Sequence, residues 1–233
     1  MYWFLLAAAV FFYAVKRHKR RSISPAGSPA SRSQRSGEEG EAVVHAEVRA
    51  ALEWLCGDNF YLHPGALLLN HAPGSAFPTA EVDHLAITPF GIFIVETKNW
   101  AGRIEPGPDL RSVVRIGVDG RREMRRSPIQ QNRSKVAFLR SVLPGSWLVE
   151  GIAVFPNPHC DLSPALPVNL MRAIDLRQWF RDRKSKHDAR NVLPLDVAHA
   201  RRAILAVAET GAVAIEAHRA KLREDPKNSP CLT

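Results

Sequence analysis

Paired cysteines are missing from this sequence. Cys56, Cys160 and Cys231 lie far apart with no CxxC spacing, which leaves no zinc ribbon, and their odd number argues against a disulfide framework. Reduced thiols suit a cytosolic domain. There is no GxSxG elbow, no Walker phosphate loop, no HExxH and no GxGxxG. Serine-hydrolase, nucleotide-hydrolysing, zinc-protease and dinucleotide chemistries therefore have no foothold, and no small-molecule cofactor is expected. Internal repeats are absent too. Acidic residues are missing from the first 35 positions, which hold Lys16, Arg17, Lys19, Arg20, Arg21, Arg32 and Arg35. Those seven account for most of the formal net charge of +9, so the remainder of the chain is close to balanced. The overall basicity thus says little about the folded part.

What is present begins with MYWFLLAAAVFFYAV, fifteen residues without a charge, with KRHKRR directly after it. As a helix this run spans about 22 Å, short of the roughly 30 Å hydrocarbon core, and snorkelling by Lys16 and Arg17 opposite Tyr2 and Trp3 makes up the difference. A cleaved signal carries its positive charge before the apolar run, whereas here it comes after. The positive-inside rule then places the chain beyond residue 16 on the cytoplasmic side of a plasma or inner membrane. The expected organisation is an anchor over residues 1–15 and a basic, Ser/Pro-rich tether over 16–36. After them come a folded domain over 37–160, a helical extension over 161–225 and a tail over 226–233. With 45% hydrophobic residues, the 233-residue chain can bury one good core.

Helical spacing of Val43, Val44, Val48, Ala51, Leu52 and Leu55 predicts a helix over Glu38 to Trp54, ended by Gly57 and Asp58. A strand is expected over Phe60 to Leu69, then a loop over 70–80. EVDHLAIT and IFIVETKN read as two strands joined at Pro89-Phe90-Gly91. The second is apolar on both faces, so it should be central and doubly covered. A hairpin is expected around Asp119-Gly120, a helix from Pro128 to Val142, a strand over Trp147 to Phe155, and helices over Asp175 to Arg183 and Val197 to Arg223. That order gives an α/β fold: a mixed β-sheet flanked by α-helices, preceded by a transmembrane helix.

Chemistry concentrates in Asp83 and in Glu96-Thr97-Lys98. A strand alternates faces, so Glu96 and Lys98 project together while Thr97 points away. A turn at Pro89 and Phe90 pairs position 83 with 96, placing Asp83 on that same face, and a one-residue slip destroys the arrangement. Charges persist on a buried strand when they are paired or bind a metal. Two carboxylates and an ammonium suit Mg²⁺, with Mn²⁺ as a substitute, and the water such an ion keeps is a nucleophile for phosphodiester cleavage. Lys98 can orient or deprotonate that water, or neutralise charge on the phosphate. A buried carboxylate–lysine ion pair fits the same residues equally well.

The runs GEEGEAVVHAEVRAAL, AEVDHLAITPFGIFIVETKNWAGRI, SPIQQNRSKVAFLR and IAVFPN, taken in order and spacing, resemble the nuclease-related domain over residues 37–157. That domain is grouped with the PD-(D/E)xK nucleases. The resemblance implies a restriction-endonuclease-like, four-stranded mixed sheet between helices, binding Mg²⁺ and cutting nucleic acid, DNA sooner than RNA. It also implies Asp83 and Glu96 as metal carboxylates, Lys98 as the catalytic lysine, Glu41 as the helical acid completing the metal shell, and Gln131 as the supporting polar residue. Ser127-Pro128 departs from the family's usual Asn-Pro, and the loop 70–80 is long; neither touches the carboxylates. His45, Glu81, His84 and Gln130 are secondary candidates.

Residues 111–140 hold nine bases against Asp119 and Glu123, a local charge of +7. Arg121, Arg122, Arg125, Arg126, Arg133 and Lys135 are the expected nucleic-acid contacts within it. A solvated hairpin explains the same charge. The competing functional class is a catalytically silent nucleic-acid-binding or adaptor protein on the same fold.

Overall fold

The structure, a computed structural model, describes residues 32–224. The chain divides into two compact units, residues 1–35 and 36–233; of the first, only its last residues, at the start of a helix, are described. The anchor expected over 1–15 and the tail expected over 226–233 lie outside the described residues. Among the described residues, no helix is long and apolar enough to cross a membrane.

The described residues form a mixed α/β fold with three sheets and five α-helices. The first helix, α1, runs Arg32–Cys56, so Arg32 to Ser36, expected in the tether, are helical. No proline interrupts the chain between Ala30 and His63, and Gln and Arg are good helix formers. The expected strand over Phe60 to Leu69 is two short ones, β1 Tyr61–Leu62 and β2 Leu67–Leu69. Pro64, which lacks an N–H to give to a ladder, and Gly65 separate them. Then come β3 Ala80–Val82, β4 His84–Thr88 and β5 Gly91–Thr97. A three-stranded run is next, β6 Gly102–Pro106, β7 Ser112–Ile116 and β8 Arg122–Arg126. Helix α2 covers Pro128–Val142, opening on proline as expected, and leads to β9 Val149–Phe155.

The central sheet has the order β1-β4-β5-β9 and closes with β11 Leu170–Arg172. It has five strands where the family resemblance implied four. β4 and β5 are antiparallel, β5 and β9 parallel, and β9 and β11 parallel. β5 is buried along its whole length, as its two-sided apolar run predicts. On one face Phe93 and Val95 pack with Val44, Val48 and Leu52 of α1 and with Leu176 and Phe180 of α3 Leu176–Asp188. On the other, Ile92 and Ile94 pack with Leu139 of α2 and with Ala200 and Ile204 of α4 Val197–Leu205. Each such fully buried side chain contributes on the order of 2 kcal/mol. A second sheet orders β10-β6-β7-β8, β10 being Cys160–Leu162. Gly102 starts β6 with φ +96°, and a Cβ there would lie 2.1 Å from the Ile116 carbonyl oxygen, so only glycine fits.

The segment over 161–225 is not purely helical. It gives β11 to the central sheet and β12 Ala208–Glu209 to a third sheet of order β12-β2-β3. The single helix expected over Val197 to Arg223 is therefore two, α4 and α5 Ala212–Glu224. Glu209 pairs with Leu68 in β2, and its carboxylate accepts from the Gly211 N–H at 2.6 Å, breaking the helical ladder there. Strands of two or three residues have no room for an alternating pattern, so the sequence could not announce them.

Candidate active site

The β4–β5 hairpin sets the site. Thr88 pairs with Gly91 across Pro89-Phe90, and His84 pairs with Val95. Asp83 lies just before that pair, at the break between β3 and β4, so the single strand expected over EVDHLAIT is two strands in different sheets. Alternation along β5 puts Glu96 and Lys98 on one face, and Asp83 lies close enough to feel both charges. Thr97 and His84 face the other way, joined by a 3.0 Å hydrogen bond between Oγ1 and Nε2. Burial lowers the His84 pKa to about 4, so its ring is neutral, and His45 lies beside it at a centroid distance of 5.7 Å. His45 and His84 thus belong to the α1 side of the sheet.

Glu96 shares its face with Ile92 and Ile94, so it meets α2. Lys135, from the middle of that helix, donates to its Oε2 at 2.7 Å, and Lys98 donates to its Oε1 at 2.7 Å. Lys135 was expected on an exposed phosphate groove. It is instead 5% exposed, because position 135 lies on the helix face that carries Leu139 and Asn132 onto the sheet. Periodicity was the available signal: Pro128, Asn132, Lys135 and Leu139 recur at helical spacing.

Asp83 Oδ2 accepts the Thr97 main-chain N–H at 2.8 Å. Burial, and then the Glu96 charge beside it, push its pKa up to about 7 against the opposing pull of Lys135 and Lys98. Burial also acts to raise Glu96, but Lys98 and Lys135 outweigh it and hold the group at about 2. Lys98 is penalised by burial, yet Glu96 and Asp83 raise its pKa above the usual lysine range. The site therefore combines one permanently ionised carboxylate, one carboxyl that changes charge near neutrality, and a firmly protonated lysine.

Glu41 sits on α1, whose approach depends on Gly40: a Cβ there would lie 2.8 Å from the Asn99 Cβ. Its carboxylate is half-buried, with its pKa raised by desolvation against the pull of Arg219. The Arg219 Nη2 lies 4.0 Å from Glu41 Oε2. Arg219 belongs to α5, an element that no pattern in the sequence connects with the site. It also grips Glu81, with Nε 2.9 Å from Oε1 and 3.1 Å from Oε2. Asp83 and Glu96 are thus brought together, while Glu41 is turned to Arg219. Among the described residues, no group of three or more His, Cys, Asp or Glu is assembled for a metal ion.

The donor chemistry nonetheless fits a hard divalent cation. Two oxygen donors lie side by side, and the unfavourable Asp83 charge would be relieved by one. Gln131 stands one helical turn before Lys135, and its Oε1 is buried without a protein partner. Such an orphaned acceptor fits a water held at this site.

The expected nucleic-acid arginines divide into two groups. Arg121 pairs with Asp119, Arg122 with Glu105, and Arg125 with Glu123. Arg126, at the end of β8, and Arg133, on α2, make no ion pair among the described residues and line one cavity.

No curated protein and no solved structure matches the chain. A family model does, that of the nuclease-related domain, over residues 36–156, a span that begins five residues before Glu41, ends after β9 and contains every site residue named above except Arg219. It covers just over half of the 233 residues. The chain, with its carboxylates and lysines gathered where α2 packs on the end of the β4–β5 hairpin, belongs to the nuclease-related domain family.

Proposed function

We propose that this protein is a metal-dependent nuclease that hydrolyses phosphodiester bonds of nucleic acid, DNA in preference to RNA. The observation that carries the reading is the buried Glu96 with the half-buried Asp83 and Lys98 beside it at the end of the β4–β5 hairpin, and Lys135 behind. A restriction-endonuclease-like core is supported by the antiparallel β4–β5 pair continuing into the parallel β5–β9 pair, with α1 and α2 on opposite faces. Asp83 and Glu96 would hold Mg²⁺, or Mn²⁺ in its place, and Glu41 would join them by leaving Arg219. The ion supplies a water of lowered pKa and charge for the phosphate oxygens.

The chain's own residues do the rest. Because Lys98 carries its proton, it serves best as a hydrogen-bond donor and fixed positive charge to a phosphate gaining negative charge, and less well as a base. Lys135 keeps Glu96 ionised and fixes its plane. Gln131 would position a water through its free Oε1. The uncharged run before KRHKRR supports tethering to a membrane, with the domain on the cytoplasmic side.

One observation favours a second reading, a silent nucleic-acid binder or adaptor. Both Glu96 oxygens are taken by ammonium groups, and Glu41 is turned to Arg219. The test incubates the full-length protein with labelled single- and double-stranded DNA and RNA, with Mg²⁺, Mn²⁺ or EDTA, beside Lys98→Ala. Cleavage that needs metal and disappears in Lys98→Ala is expected. Binding without cleavage under every condition would leave the silent reading standing.

A further inference from the structure

Arg111, Arg126 and Arg133 come together from the turn before β7, the end of β8 and the second turn of α2. Ser112 at the start of β7 pairs with Arg126 at the end of β8, and the Ser127 N–H donates to the Arg111 carbonyl at 2.8 Å. The chain then enters α2 at Pro128, which brings Gln130 and Arg133 up one turn later. The three arginines line a cavity of about 410 Å³ with Gln130, Ser134 and Ala137, and no lining residue is acidic. All three side chains are exposed.

Their surroundings differ from those of the other arginines in the same hairpin. Arg115, Arg121, Arg122 and Arg125 each lie within 3.5 Å of a carboxylate oxygen. Arg111, Arg126 and Arg133 have no such partner among the described residues. The nearest acid in sequence, Asp109, spends its Oδ1 on the Ser112 hydroxyl at 2.7 Å and on the Arg111 N–H at 3.0 Å. Arg126 reaches only the Gln130 carbonyl, at 3.5 Å. The first turn of α2 adds no acid. Three like charges gathered around one hollow repel one another, and the field they make selects an anion. Guanidinium forks match phosphate geometry.

We infer that this cavity is a phosphate-anchoring site for the backbone of a nucleic acid, separate from the catalytic carboxylates. It lies on the opposite face of α2 from Lys135: residues 130, 133, 134 and 137 form one stripe, and 128, 132, 135 and 139 the buried one. Arg111, Arg126 and Arg133 position the polymer without reading its sequence. The charge-matched arginines, Arg121, Arg122 and Arg125, contribute little. The inference rests on the nucleic-acid reading above but not on catalysis.

The experiment measures binding of the full-length protein to a fluorescent duplex DNA and a fluorescent single-stranded RNA, in EDTA, across a salt series. EDTA keeps cleavage out of the readout, and the N-terminal basic run contributes equally to every variant. In Arg111→Gln/Arg126→Gln/Arg133→Gln, the slope of log affinity against log salt on duplex DNA should fall in magnitude by about 2 to 3, since each lost phosphate contact removes about 0.9. Affinity should fall about tenfold or more. In the control, Arg121→Gln/Arg122→Gln/Arg125→Gln, the slope should change by less than about 1. Equal slope changes in the two triple variants, or none in the first, would overturn the anchor while leaving the nuclease reading intact. A wild-type protein that binds neither probe would overturn the anchor and leave the nuclease reading to the cleavage assay.

Discussion

Replacing Lys135 with methionine removes an ammonium from the core and keeps most of the side-chain volume. Glu96 is 6% exposed, and each of its oxygens has one lysine at 2.7 Å. Stripping a buried charge of its only partner costs about 3–5 kcal/mol. Here Lys98 remains on Oε1, so the expected loss is about 2–3 kcal/mol, the cost of one unsatisfied charged acceptor. Urea denaturation at neutral pH should show a midpoint lowered by about 1 M, for a dependence of about 2–3 kcal/mol per M. The double variant Glu96→Gln/Lys135→Met should recover part of that loss, giving a coupling of about 1.5–3 kcal/mol in the mutant cycle. Mg²⁺ should stabilise Lys135→Met more than wild type, because the ion supplies charge where the ammonium was. A Lys135→Met protein as stable as wild type, with no coupling to Glu96, would refute the claim that this pair holds α2 to the site.

Two further outcomes rest on the same charges. Asp83 has its pKa raised to about 7, so the native state keeps a proton that the unfolded chain has released. In EDTA this contribution is complete below about pH 4 and is lost as pH rises towards 7, with a slope of at most about 1.4 kcal/mol per unit. Glu96, depressed to about 2, acts in the opposite sense, and its contribution fails only as pH falls below about 4. Asp83→Asn should flatten the loss between pH 4 and 7, and a variant profile parallel to wild type would refute the assignment. Arg219→Ala should lose about 1–2 kcal/mol, since its pair with Glu81 is partly screened by solvent. It should also speed hydrogen exchange in α5 and the loop 70–80, where Lys221 holds the Ala76 carbonyl at 2.6 Å. Unchanged exchange would mean that Arg219 does not hold α5.

The grouping of Asp83, Glu96 and Lys98 was legible because one strand and one turn bring them together. Alternation along IFIVETKN set Glu96 and Lys98 on a common face, and the two-residue turn at Pro89-Phe90 left one register that adds Asp83. The extent of α2 was legible for similar reasons, from Pro128 at its first turn to the end of the apolar spacing at Val142. These are local facts: periods of 2 and 3.6, and turns that reset the chain's direction.

The partners of those charges were decided by tertiary structure. Lys135 lies 39 positions from Glu96, and Arg219 lies 138 from Glu81. The composition of residues 111–140 shows nine bases but not which are answered by Glu105, Glu123 or Asp119 and which are left around one cavity. Charge in a sequence is a sum, whereas its consequence falls off with distance and depends on desolvation, and both are set by packing. The short strands β10, β11 and β12 have the same origin, because hydrogen bonds to distant β6, β9 and β2 define them. The sequence by itself determined the carboxylates, the lysine and the face that Glu96 and Lys98 share; packing decided which charges stand beside them, because only the folded chain brings α2 and α5 within reach.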